Sequence, residues 1–368
     1  MDDEVNFIGG TTQLKWLPTL DKTLDGKIEA RLTNPDIGDS GETHSKLLEG
    51  YATVHYEHAD LRLGRQIVAW GRGDGLNPTD NLTPHDYTVM LPFEDDQRFG
   101  TTAARLDYFL TTAHTLTFFT TPFFEPSKFP LPAGLGMRDV RPAHSLRNSE
   151  AAVKLNKTGD GVDWSISYFH GYNLLPEIRP GAAGLELHYP EIDVLGADMA
   201  RNFGRYGMRA EVAYFRTEDN DGNNPVAINP YLYAVAGVDR TFLDNLNVNL
   251  QLVGRWVQHY TDPSDVADPT TRFAATQNAI NLGQQDRTSY GLSSRVSNKW
   301  FNDTLEAEVL VFVNFRRTNS YLRPLVTYAF TDSMKLTVGA EFYRGPDNTP
   351  FGQLKSNQGY FSELRYSF

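Results

Sequence analysis

Charged and amide side chains recur at every second position through otherwise apolar segments of this chain, and they have the most to offer chemically. On one parity stand Arg62, Gln66, Arg105, Asp107, Arg209, Glu211, Arg255, Arg295, Glu306, Glu308, Arg316, Arg323, Glu341, Glu363 and Arg365. Arg72, Asp74, Asp80 and Arg98 join them from a connector, and Arg65 breaks the rule by falling among the apolar positions. Opposed charges facing one another across a wet space do no covalent chemistry; they set a transverse field that sorts solutes by charge and size. On neighbouring strands the same residues also serve as charge ladders that fill and stiffen an interior.

Covalent chemistry has weaker claims. The 9 histidines are scattered, with no H-E-x-x-H pair at metal spacing. His144 and Ser145 are adjacent, but adjacency in sequence does not set a base on a nucleophile, and no G-x-S-x-G elbow occurs. Asp74, Asn77 and Asp80 could ligate calcium, yet they lack the EF-hand spacing, and turn acids are more often simply solvated. No enzyme, metal or cofactor is expected.

The elements that must position the charges are strands. In the last segment Tyr360, Leu364, Tyr366 and Phe368 share one parity with Ser362, while Gly359, Glu363, Arg365 and Ser367 share the other with Phe361. A period of two with an apolar and a charged side is a strand whose faces meet different solvents. The pattern repeats, most clearly where Leu305, Ala307, Val309, Val311, Val313 and Phe315 oppose Glu306, Glu308, Asn314 and Arg316. A dry sandwich core would not set two glutamates and an asparagine across from six apolar residues. A terminal strand ending in Phe368 resembles the C-terminal strand of Gram-negative outer-membrane β-barrels. That resemblance implies recognition by the barrel assembly machinery and pairing with the first strand to remove the open edge.

Counting back from that strand gives about sixteen strands beginning near residues 24–31, or eighteen if residues 5–18 contribute. The connectors at 33–46, 71–98, 122–148, 173–184, 218–229, 261–287 and 345–356 fall at one end, and tight turns fall at the other. Bacterial barrels show the same asymmetry between long outer loops and short periplasmic turns. The expected fold is all-β: one closed, transmembrane, antiparallel up-and-down barrel spanning 1–368.

Composition agrees. A chain of 368 residues exceeds the usual compact soluble domain, but a barrel's size is set by strand number. Only 40% of residues are hydrophobic, mean hydropathy is -0.44, and no apolar run approaches the length of a membrane helix. There is no cysteine, which excludes disulfides and thiolate metal sites and fits export through an oxidising periplasm. Met1-Asp2-Asp3-Glu4 has no basic start or apolar stretch, so the sequence reads as a mature form with an added methionine. A net charge of -12 argues against a nucleic-acid partner.

The least generic stretch runs from Gly64 to Arg98. It is dense in glycine and acids and carries Pro78, Pro84 and Pro92, which forbid continued strand pairing. Such a restricted connector, 71–98, is expected to fold into the lumen as a constriction. Residues 61–100 resemble a family of proteobacterial outer-membrane barrels related in style to porins and alginate-export-type channels. The resemblance implies outer-membrane location and architecture, with outer-membrane lipid and lipopolysaccharide around the barrel. The expected function is passive diffusion of a small polar solute, anionic if Arg65 and Arg72 face the narrowest section. The alternative is a conduit for a polysaccharide or hydrophobic compound served by periplasmic partners, which Phe119, Phe123, Phe124 and Phe129 near a long loop would suit.

Overall fold

The computed structural model describes residues 8–19, 21–36, 42–88, 94–129, 136–243 and 245–367; Phe368, Pro92 and the first four residues lie outside them. In chain order the strands are β1 (Gly10–Trp16), β2 (Leu24–Asn34), β3 (His44–His55), β4 (Ala59–Gln66), β5 (Thr101–Phe109), β6 (His114–Thr121) and β7 (Arg138–Val140). There follow β8 (Glu150–Lys157), β9 (Asp163–Tyr172), β10 (Glu177–Gly181), β11 (Gly184–His188), β12 (Glu191–Phe203), β13 (Tyr206–Thr217) and β14 (Tyr231–Phe242). The rest are β15 (Leu246–Val257), β16 (Thr288–Trp300), β17 (Leu305–Asn314), β18 (Asn319–Ala329), β19 (Met334–Arg344) and β20 (Gly359–Tyr366). Two helices, α1 (Pro269–Asn281) and α2 (Pro350–Gln353), sit in long connectors.

Seventeen of the twenty strands form one sheet, in which each strand pairs antiparallel with the next along the chain. The sheet is inside-out by the standards of a soluble protein. Along β15, Leu250 is 40% exposed, Gln251 3% and Leu252 62%. The same alternation exposes Ile166, Leu195, Met208, Val309, Val326 and Val338 while burying Asp198, Glu211, Ser293, Arg323 and Thr337. Water around the rim would penalise that arrangement by about 25 cal/mol for each Å² of apolar surface left exposed; hydrocarbon removes the penalty. Trp256, Trp300, Tyr108, Tyr328 and Tyr366 are exposed near strand ends, where interfacial aromatics belong.

The expected count of sixteen strands is too low. β1 is an additional member of the main sheet: its Lys15 and Gln13 lie opposite Glu29 and Arg31 of β2, in a segment whose two-residue period is too short to be decisive. Strands β7, β10 and β11 form a separate small sheet within connectors 122–148 and 173–184, with β10 and β11 a hairpin and β7 parallel to β11. Their three to five residues carry no readable alternation. One connector, 315–318 between β17 and β18, is short at the end where the others are long. β1 and β20 run in the same direction, because seventeen is odd, and no β1–β20 ladder is present among the described residues.

The long connectors over β9–β16 pack into a cap. α1 starts at Asp268, whose carboxylate accepts from Thr271 N at 2.8 Å, with Pro269 in the first turn. Its Asn278 amide accepts from Ile178 N at 2.7 Å and donates to Ile178 O and Val226 O at 2.8 and 2.7 Å. Ile178, Leu187, Val226, Ala274 and Ala275 close around that bridge. Three connectors are thereby fastened together.

Candidate functional site

The described residues of the segment joining β4 to β5, 67–88 and 94–100, lie against the buried face of the sheet, and Glu211 of β13 is their main anchor. Glu211 Oε1 accepts from Thr79 N at 2.7 Å and Thr79 Oγ1 at 2.9 Å, and Oε2 accepts from Arg72 N at 3.0 Å and Gly73 N at 3.4 Å. A carboxylate is acceptor-only, and converging backbone N–H groups are the complement it needs. Sequence supplies the convergence. Gly71 has φ +99°, and a Cβ there would stand 2.7 Å from Glu211 Oε2. Any other residue is strained at this φ and pushes the turn off the carboxylate.

Further contacts fix the rest of the segment. Arg72 Nε donates to Asp198 Oδ1 of β12 at 2.5 Å, and Arg72 Nη2 donates to Asn156 Oδ1 of β8 at 2.8 Å. Asp198 also accepts from Ser165 Oγ of β9 and lies 3.7 Å from Lys154 Nζ. Gln251 of β15 takes Asp74 N at 2.9 Å and gives its own N–H to Asp74 O at 2.8 Å, and Arg295 of β16 pairs with Asp74 at 3.0 Å and Glu308 at 3.1 Å. Val68, Trp70 and Leu82 pack among inward-facing Phe119, Phe169, Val194, Phe215 and Val257. That apolar patch at the outer ends of the strands went unread, because apolar parity was equated with the outward face.

On the return path Arg98 pairs with Asp80 at 2.6 Å, and Asp80 Oδ1 accepts from Trp70 N, so the two limbs of the segment are tied to each other. Asp86 pairs with Lys46 of β3 at 3.3 Å and with Lys128 at 3.0 Å. Asp96 accepts from Arg31 Nη1 of β2 through its carbonyl at 2.6 Å and pairs with Arg365 of β20 at 2.7 Å. One residue thus joins strands near both ends of the chain.

His85 stacks on Tyr87 with ring centroids 5.4 Å apart. Burial pushes its pKa down to about 4, and the nearby Arg98 charge acts in the same direction. An unfolded histidine titrates near 6.5, so between about pH 6.5 and 4 the undocked segment binds a proton that the docked one does not. Docking is therefore fully stable above that window and weakens as pH falls through it. Proteolytic cleavage within the segment should rise between pH 7 and 4.5, and His85→Phe, which keeps an aromatic ring and cannot charge, should abolish the rise. Equal cleavage of both proteins would refute the assignment.

No family profile matches the sequence, and neither does any curated protein. Solved structures do match over nearly the whole chain. OccAB4 of Acinetobacter baumannii shares 8% identity at a TM-score of 0.58, covering 97% of this chain and 90% of that one. OccD3 of Pseudomonas aeruginosa shares 10% at 0.57, covering 98% and 86%. Pseudomonas aeruginosa OpdK, solved with vanillate, shares 7% at 0.56, covering 97% and 92%. The fold is the one these three proteins share.

Within this fold the expected charges take several roles. Arg72, Asp74, Arg98, Glu211, Arg295 and Glu308 come together in the network just described. Arg105 pairs with Asp107 at 2.9 Å, Arg209 with Asp239 at 3.1 Å, and Glu306 lies 3.8 Å from Lys299. Arg62 donates to Thr53 Oγ1 and lies over the Tyr51 ring. Gln66 is fully buried and donates to Ala103 O, and Arg323 is buried on β18. Arg255 sits over the Tyr231 and Tyr233 rings and donates to Leu282 O, which anchors the α1 connector. Arg316 stands in the β17–β18 turn, 3.8 Å from Asp286. Arg65 bonds Glu125 with both terminal nitrogens, at 2.9 and 2.8 Å. Tyr321 and Tyr343 hydroxyls both donate to Glu341 at 2.8 Å, and Glu363 pairs with Arg365. The residues missed were Asp198, Thr79 and Gln251. Asp198 was legible, since it alternates with Ala197 and Met199 on the polar parity.

Proposed function

We propose that the sheet closes into a transmembrane barrel in the outer membrane and that the chain is a channel for passive diffusion of small polar solutes. The observation that carries this reading is the inverted burial, with Gln251 hidden between exposed Leu250 and Leu252 and the pattern repeated around the sheet. Closure is supported by Asp96, which reaches both β2 and β20. Segment 71–98 is the constriction, with its residues 72–79 held against the wall by Glu211 and Asp198. Outer-membrane lipid and lipopolysaccharide surround the exposed face, and the last strand addresses the assembly machinery.

Anion preference does not follow from Arg65 and Arg72, because Glu125 and Asp198 neutralise them. The vanillate in OpdK is a small carboxylate, so the proposed range includes small organic anions beside neutral polar solutes. A polymer or hydrophobic conduit is disfavoured by the charged network along the segment. Purified protein in planar bilayers should give discrete conductance steps with weak charge selectivity, read as a small reversal potential in a salt gradient. A silent bilayer from folded protein defeats the channel reading.

A further inference from the structure

We propose that the outer face of β12–β14, at the end of the tight turns, holds the phosphodiester of an anionic glycerophospholipid. This rests on the membrane reading above and adds a site on the outside of the wall. Arg201, Phe203, Tyr206, Arg240 and Phe242 share the parity of exposed Leu195, Met208 and Leu232, which is the face given to lipid. Phe203 lies opposite Tyr206 across the β12–β13 hairpin, and Arg240 Nη1 of β14 donates to the Tyr206 hydroxyl. Both guanidinium groups lean toward the turns. Arg201 Cζ lies 4.5 Å from the centre of the Phe203 ring, and Arg240 Cζ lies 4.4 Å from that of Phe242 and 4.7 Å from that of Tyr206. In each case a ring two positions nearer the turn carries the cation, as happens when a stem lies in hydrocarbon and its head reaches the interface.

These two charges lack a counter-ion in the protein. Neither arginine pairs with a carboxylate among the described residues, and Arg240 Nε is buried with no acceptor. Asp239, next to Arg240 in sequence, points to the other face and pairs with Arg209 at 3.1 Å. By contrast Arg65, on the same parity, brings Glu125, and Lys157, at the same end, donates to the carbonyls of Asp160 and Val162. A cation at the hydrocarbon edge without a partner is costly. A phosphodiester supplies the missing acceptors in the paired geometry that arginine suits. Tight turns mark the periplasmic side of such a wall, where the leaflet is glycerophospholipid. The favoured headgroup is anionic, because the ammonium of a zwitterionic one already answers its own phosphate and repels both arginines.

Native mass spectrometry of the full chain, released from micelles holding equal phosphatidylglycerol and phosphatidylcholine, should show phosphatidylglycerol retained in preference. Replacing both arginines, Arg201→Gln with Arg240→Gln, should lower that retention by about fivefold for each charge removed. Tyr206→Phe removes the hydroxyl bond and leaves both charges, so it should keep the lipid; loss there would mean that Arg240 only braces the hairpin. Equal retention of the two lipids by the parent, or undiminished phosphatidylglycerol in the double variant, overturns the site. So does protection against heat by inorganic phosphate equal to that by phosphatidylglycerol, since the ligand is then the free ion. A parent that prefers phosphatidylglycerol yet leaves a planar bilayer silent defeats the channel reading alone, and one that conducts without the preference defeats the headgroup site alone.

Discussion

Glu211→Ala is expected to release the constricting segment, raising single-channel conductance and lowering unfolding stability by about 3 kcal/mol. The magnitude follows from what the substitution strands. Arg72 N, Gly73 N, Thr79 N and Thr79 Oγ1 all lose their acceptor at once. Each buried donor left unsatisfied costs roughly 1–3 kcal/mol, and water entering the freed space relieves part of the sum. The lost grip also loosens the Arg72–Asp198 pair, since Glu211 holds the backbone N–H groups of Arg72 and Gly73. Glu211→Gln is the informative companion. Its amide keeps one acceptor and turns a donor toward N–H groups, so conductance should rise less than in Glu211→Ala. Unchanged conductance in both variants would mean that segment 71–79 is not what narrows the path.

The strands were legible because each must satisfy two solvents at once, and that demand writes a two-residue period into the chain. β17 shows it plainly, with Glu306 and Glu308 inward and Val309 outward. What stayed hidden was whatever depends on contacts distant in sequence. Ile192, Val194 and Phe215 carry an apolar parity that faces inward, and nothing local distinguishes it from a lipid-facing one. Only the arrival of Trp70 and Leu82 against them explains their type. The role of Glu211 was half legible in the same way. Its parity placed it inside, but its partners lie more than 130 positions away. α1 was passed over within a connector, although Asp268 followed by Pro269 is a readable helix start. Arg65 was legible as an exception to its strand, and its bond to Glu125 gives the reason: a charge on the apolar parity must bring its own counter-ion.

Leu252→Arg should cost about 2–4 kcal/mol of stability in a bilayer, because a cation on the lipid face near mid-membrane must be dragged out of water or must distort the lipid around it. Leu252 is the sharpest place to ask, since it lies mid-way along β15, is 62% exposed and is flanked by the buried Gln251. The two possible environments predict opposite signs. If water bathed that face, replacing an exposed leucine by arginine would be neutral or would improve solubility, as exposed substitutions away from special features usually shift stability by less than about 0.5 kcal/mol. In hydrocarbon the same change should lower the urea midpoint of protein refolded into liposomes and reduce the folded fraction. Gln251→Leu should also destabilise, through the other face: it removes both bonds to Asp74 and leaves that backbone N–H and carbonyl without partners. Adjacent residues would then both resist exchange of polar for apolar character in opposite directions, an outcome that only a wall with lipid outside and polar groups inside produces.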